Sequence, residues 1–224
     1  MAVSLNEQQL RRLAQNFDHD RSPDFLYCPL LSGAIASRQK AGMRMVMNGA
    51  LAGGVRPQTL REIILQSHLF LGFPAMIEAA HLLAELCPSR TRCDQLPGAY
   101  TAAADQKRHH DGLVKVRRMY GRAFHRLVAH INSASPQILT WLINDAYGRV
   151  LSRPGVSFAV RETSIIATLT VTAYHNQLMA HIRGALHIGL DRGLLEQTID
   201  NCRFFCPPSR IAVAHETLTR MLAD

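Results

Sequence analysis

The stretch MAHIRGALHIGLDRGLL, residues 179–195, echoes MVMNGALAGGVRPQTL, residues 45–60, at a spacing of 135 positions. At that spacing Gly49-Ala50-Leu51 falls on Gly184-Ala185-Leu186, Gly54 on Gly189, Leu60 on Leu195, Ile64 on Ile199 and Phe70 on Phe205. Each copy reads as a helix, a glycine stop and a second helix. A glycine can end a helix in the left-handed conformation, and the next helix then turns back and buries its apolar face against the first. The echo therefore predicts an internal duplication of helical modules.

The rest of the chain agrees with an all-α fold. Apolar spacings of three and four dominate, and no alternating run is long enough for a sheet. Pro57 fits the first turn of a helix that ends at Gly72, and Pro74 starts another that ends near Cys87. Ser135-Pro136 opens a helix, Asp191 caps the one that follows it, and Ser4 with Glu7 reads as a capping box. Pro, Arg and Gly breaks mark a linker. The organisation read from these signals is an N-terminal module 1–87, a linker 88–111 and a C-terminal module 112–224.

Of the 224 residues 47% are hydrophobic and 19% charged, the balance of an ordinary globular protein with a sound core. No apolar run approaches the roughly 20 residues that span a bilayer, and the N-terminus lacks a signal-peptide core, so the expectation is a cytoplasmic protein with no membrane partner. Five cysteines without framework spacing suit a reducing compartment. The net charge of +8 suits an anionic partner. It concentrates in Lys115, Arg118, Arg122 and Arg126, opposite an apolar stripe of Leu113, Val116, Tyr120, Ala123, Leu127 and Ile131. That stretch belongs to no recognisable nucleic-acid-binding pattern, so a solvated helix face is the first reading and nucleic-acid binding a distant second, and small anionic substrates would also suit the field.

Residues 147–190, YGRVLSRPGVSFAVRETSIIATLTVTAYHNQLMAHIRGALHIGL, resemble the carboxymuconolactone decarboxylase family with its YGxV…RPG…RE lead-in and HxRxAL helix. LREIILQSHLFLGFPA, residues 60–75, is similar to the family's GxPA ending. The resemblance implies two AhpD-like, carboxymuconolactone decarboxylase-like helical modules in tandem, assembling as a trimer of such chains or as a dimer. The alkylhydroperoxidase branch carries E-x11-C-x2-C-x3-H. Here Glu162 and His181 take the acid and histidine positions, while Tyr174 and Gln177 replace the cysteines, so a dithiol cycle is lost.

What the resemblance implies is a cofactor-free, metal-free lyase on a small anionic lactone or keto acid. His181 is the acid or base, Glu162 its orienting partner and Tyr174 an oxyanion donor; Arg183, Arg161 and Gln177 hold the substrate. Two alternatives stand beside it: a thiol peroxidase reacting through Cys206 or Cys28, and a non-catalytic helical assembly. The copies have diverged, for the first keeps Glu62 and Gly72-Phe73-Pro74 but has Val46 for the histidine. The second keeps His181 but has Gln197 for the glutamate. Along one straight helix Glu162 lies on the order of 16 Å from the far end, so it meets His181 only if the next helix folds fully back or another module supplies a partner.

Overall fold

The computed structural model describes residues 5–88 and 101–223, and all regular structure among them is helical. The elements are α1 (Glu7–Gln15), α2 (Asp24–Ala36), α3 (Lys40–Ala52), α4 (Pro57–Leu86), α5 (Ala102–Tyr120), α6 (Phe124–Ala134), α7 (Pro136–Trp141), α8 (Phe158–Thr172), α9 (His175–His187), α10 (Arg192–Asn201) and α11 (Pro208–Ala223). A π-helical stretch, Leu142–Leu151, continues α7. Two compact units divide the chain, 1–87 with 155–224 and 88–154. They cut across the segments drawn from sequence, because α2 packs along α8 and so joins the first segment to the last part of the third. Within the segment read as linker, residues 89–100 lie outside the described residues, while Ala102–Asp111 belong to α5.

In the first unit α2 and α8 are the central pair. Ten residues of α2 and every residue of α8 from Val160 to Val171 are buried, so both helices are wrapped on all sides. Backbone features recur at the spacing of the echo. Helix α3 spans Lys40–Ala52 and α9 spans His175–His187. Each is preceded by a left-handed residue, Arg38 (φ 58°) and Ala173 (φ 61°), and followed by a left-handed glycine, Gly54 (φ 86°) and Gly189 (φ 91°).

The signals for helix ends have mixed outcomes. Asp191 caps α10 by accepting the Leu194 N–H at 2.9 Å. Ser4 lies outside the described residues, and the cap of α1 is Asn6, whose side chain and that of Gln9 exchange hydrogen bonds with each other's backbone N–H. Gly72 (φ 77°, ψ 174°) breaks α4 into two halves. By length and composition α4 could cross a membrane, with a mean hydropathy of 1.4 over 18 residues; this corrects the expectation that no segment reaches that length. Its first half nevertheless buries Glu62, Gln66 and Ser67.

The second unit rests on close backbone packing of α5 against the π-helical stretch. A Cβ on Gly112 would stand 2.0 Å from the Ile143 carbonyl oxygen, and one on Gly148 2.2 Å from that of Arg108. The buried face of α5 is Gly112, Val116 and Met119, and Gly121 (φ 49°) turns the chain before α6. The apolar stripe predicted across this break is therefore interrupted, whereas Arg118, Arg122 and Arg126 are exposed.

Candidate active site

Helix α8 opens at Ser157, whose hydroxyl accepts the Val160 N–H at 3.2 Å, and this places Glu162 in the second turn with no exposure to solvent. The helix ends on Ala173, whose left-handed conformation turns the chain at Tyr174 into α9. The two helices pack together, and His181, 8% exposed, reaches Glu162: Nδ1 lies 2.8 Å from Oε2. The intervening turns of α8 are thus spanned by a helix that folds back, within one chain.

The chemistry of the pair follows from donor and acceptor rules. A carboxylate only accepts, so Nδ1 carries the proton and the lone pair sits on Nε2. A buried carboxylate at Nδ1 also fixes the orientation of the ring. The other oxygen of Glu162, Oε1, is buried without a hydrogen-bond partner among the described residues. The ring of Phe70, from α4, stands edge-on to the imidazole at 5.9 Å and 77°. Helix α4 therefore walls the site that α8 and α9 build.

Beside this pair lies a buried ion pair. Arg161, the neighbour of Glu162, is fully buried and Glu62 is 1% exposed. The Arg161 guanidinium donates to Glu62 Oε2 at 3.1 Å and to Gln66 Oε1 at 3.3 Å. Gln66 Nε2 donates to the Arg161 carbonyl at 3.0 Å, and Gln58 Nε2 to the other Glu62 oxygen at 3.0 Å. Arg161 was expected to hold substrate; instead its planar fork is engaged inside the core.

The remaining predicted residues are scattered. Gln177 lies one turn before His181 on the same face of α9, and is exposed. Tyr174, at the N-cap of α9, is 53% exposed. Arg183 is exposed and, two residues on, lies about 200° round the helix from His181, so it does not face the imidazole. Cys206 is 2% exposed and donates to the Cys202 carbonyl at 3.4 Å. Burial pushes its thiol above the usual range, with Arg210 opposing in part. Burial pushes Cys28 and Cys202 further up. Burial of this kind works against the thiolate, the nucleophilic form that a reactive thiol at Cys206 would need.

Sequence reasoning passed over three groups. Phe70 was noted only as a repeat match, and Arg38 and Arg210 not at all. The two arginines line a cleft of about 340 Å³ together with Phe70, Thr172 and Tyr174. A larger cleft, about 640 Å³, lies between α1 and α3 and includes Tyr27, Arg11 and Arg44, but no imidazole. Among the described residues no group of three His, Cys, Asp or Glu is placed to hold a metal ion.

Fold and site together define an all-helical protein whose core holds a carboxylate–imidazole pair. The chain is similar to 4-carboxymuconolactone decarboxylase of Acinetobacter baylyi, 25% identical over 112 residues, which are 49% of this chain and 84% of that enzyme. This distant similarity supports the family that the motifs pointed to. The chain is also similar to Peroxisomal protein 2 of Schizosaccharomyces pombe, 31% identical over 137 residues, or 58% of this chain and 60% of that protein. The Saccharomyces cerevisiae protein of the same name is 26% identical over 160 residues, or 61% and 56%. The chain thus spans less than two thirds of the length of either yeast protein. No family model matches it. The expectation of a cytoplasmic protein is overturned by the two relatives named as peroxisomal; the absence of a signal-peptide core, on which it rested, does not discriminate between these compartments.

Proposed function

We propose that this chain is an acid–base lyase of the carboxymuconolactone decarboxylase type, acting on a small anionic lactone or keto acid at one site per chain. The observation that carries the reading is the 2.8 Å contact between His181 Nδ1 and Glu162 Oε2 inside the core. Loss of carbon dioxide leaves an electron pair on the substrate. The imidazolium of His181 returns a proton to carbon through Nε2 and is reprotonated from water, while Glu162 keeps the ring oriented.

The test is turnover of 4-carboxymuconolactone and a panel of small lactones and keto acids, followed by carbon dioxide release. His181→Gln and His181→Ala are expected to lose activity by a factor on the order of one hundred or more while remaining folded. Full activity in either variant, or no turnover of the whole panel by the parent protein, overturns the reading.

Three parts of the proposal have their own support. The recurrence of element bounds and left-handed residues at the spacing of the echo supports a fusion of two modules, drawn from 1–87 and 112–224. Phe73 and Ile77, 60% and 45% exposed on α4, support self-association as a dimer or trimer, which light scattering after gel filtration tests. The names of the yeast relatives support peroxisomal residence, and a fluorescent fusion that stays outside peroxisomes refutes it.

A further inference from the structure

The larger cleft, between α1 and α3, is walled by a flat helix face. Ala41, Met45, Gly49 and Ala52 follow one another at spacings of four, four and three along α3 and all line it, so they share one side of the helix. Gly53, the C-cap of α3, lines it as well. The floor is Tyr27 of α2. Its ring lies against the two glycines: a Cβ on Gly49 would stand 3.3 Å from Cε1, and one on Gly53 2.8 Å from Cε2 and 3.0 Å from the hydroxyl oxygen. With no side chain at either position, the phenol reaches the end of α3 and presents its hydroxyl beside Gly53, on the cleft.

Tyr27 is 6% exposed, and its hydroxyl has no hydrogen-bond partner among the described residues. A phenol buried this far ordinarily finds one. Burial raises its pKa, so the proton stays on the oxygen and available for donation. The charges around the opening are already matched, Arg11 by Glu7 at 3.5 Å and Arg44 by Glu85. A ligand here has no charge to neutralise. What the cleft offers is a flat apolar wall and one hydroxyl, in a volume of about 640 Å³ that falls within the range of small-molecule sites, about 300–1,000 Å³.

We infer that this cleft binds an uncharged aromatic molecule, whose ring lies along the small residues of α3 and whose polar substituent accepts a hydrogen bond from the Tyr27 hydroxyl. At the spacing of the echo Tyr27 stands where Glu162 stands in the other copy. Val46, at the position of His181, is fully buried and takes no part in the lining. The cleft is thus a different site from the carboxylate–imidazole pair, and its occupancy does not depend on the acid–base reading of His181.

The probes are 2-naphthol, naphthalene and 2-naphthoate, which share one ring system and differ in the polar group; near pH 7 the first two are uncharged. Each is titrated into the full chain carrying labelled methionine methyls, with the Met45 resonance assigned through Met45→Leu. 2-Naphthol is expected to shift the Met45 methyl and to bind about 3- to 10-fold more tightly than naphthalene, with 2-naphthoate weakest. Tyr27→Phe removes the hydroxyl alone: 2-naphthol should fall to the affinity of naphthalene, and naphthalene should bind as before. Ala52→Phe, at an exposed position of α3, fills the cleft and should abolish the Met45 shift with either compound.

Because the hydroxyl has no partner in the protein, Tyr27→Phe should melt no lower than the parent. A Tm lower by more than about 4 °C would show that the hydroxyl serves the fold, and overturns the assignment. Equal affinity of 2-naphthol for the parent and Tyr27→Phe, a Met45 shift that survives Ala52→Phe, tighter binding of 2-naphthoate than of 2-naphthol, or no binding of 2-naphthol at about 1 mM overturns it as well.

Discussion

Removing the carboxylate of Glu62 should cost this protein more than any comparable polar substitution in the first unit. Arg161 has no exposed surface, Glu62 is 1% exposed, and their contact is 3.1 Å. In Glu62→Leu the buried guanidinium keeps Gln66 but loses the Glu62 carboxylate, a loss of about 3–5 kcal/mol. For a chain of this length each kcal/mol lowers Tm by about 2–4 °C, so the expected drop is about 6–20 °C. Replacing both partners, Glu62→Leu with Arg161→Met, removes the desolvation penalty as well as the attraction and should return stability to within about 1 kcal/mol of the parent or above it. Arg161→Met alone leaves a buried carboxylate. Thermal and urea melts followed by far-ultraviolet circular dichroism measure all four proteins; the single tryptophan, Trp141, reports on the other unit. If Glu62→Leu melts within about 2 °C of the parent, or the double variant is as unstable as Glu62→Leu, the ion pair is not what the burial argument makes it.

Glu162→Gln keeps the size of the side chain but can present an amide N–H to Nδ1, which moves the imidazole proton to Nε2; turnover should fall on the order of one hundredfold or more with the melt little changed, and unchanged turnover refutes the orienting role. Gly112→Ala places a methyl 2.0 Å from the Ile143 carbonyl oxygen; proteolysis within 101–154 should accelerate while the first unit stays resistant, and a parent-like digest refutes the close packing. In a Cys87→Ser, Cys93→Ser background, Cys28, Cys202 and Cys206 should react with a thiol reagent or peroxide only as the protein unfolds, because burial keeps all three protonated. Rapid labelling of the native protein near neutral pH would refute that and restore the thiol reading.

Local signals placed most of the helices, because they rest on single residues with strong backbone preferences. Pro57 and Pro136 stand at the first position of α4 and α7, Asp191 caps α10, and the Gly72–Pro74 break falls inside α4. The register of α5 and the π-helical stretch was not legible, since a widened helix is set by its packing partner and leaves no period of its own. At the site, sequence named Glu162 and His181 but left their meeting open. The turn that brings them together is left-handed at Ala173, an alanine where a glycine would have announced it. Arg161 was misplaced for a similar reason. Its partners Glu62 and Gln66 lie 99 and 95 residues away, and no local pattern tells a buried arginine from a substrate-binding one.

The echo posed a puzzle that the packing of α4 against α8 resolves. Read as two separate modules, each copy has lost half of the family's polar groups, Val46 standing for His181 in the first and Gln197 for Glu62 in the second. In the fold the retained halves are neighbours. Glu62, Gln66 and Phe70 come from α4, Arg161 and Glu162 from α8 and His181 from α9; their contacts form two groups, Glu62 and Gln66 on Arg161, and Glu162 and Phe70 on His181, set side by side because Arg161 and Glu162 are consecutive residues. The positions 135 residues away from these six are Gln197, Asn201, Phe205, Leu26, Tyr27 and Val46, a set with no carboxylate, no imidazole and no guanidinium. If the chain is a fusion of two modules, as proposed above, two equivalent composite sites would have been free to diverge once fused, because losing the polar groups of one leaves the other whole. A buried Arg–Glu pair without a function costs desolvation, so its replacement by Leu26 and Gln197 in the silent site is the direction that stability favours. Putting a carboxylate and an imidazole back into that site with the double substitution Tyr27→Glu and Val46→His should therefore destabilise the fold without adding a second active site, since Leu26 and Gln197 supply neither of the flanking charges. A doubled turnover rate per chain in that variant would show that the carboxylate–imidazole pair alone suffices.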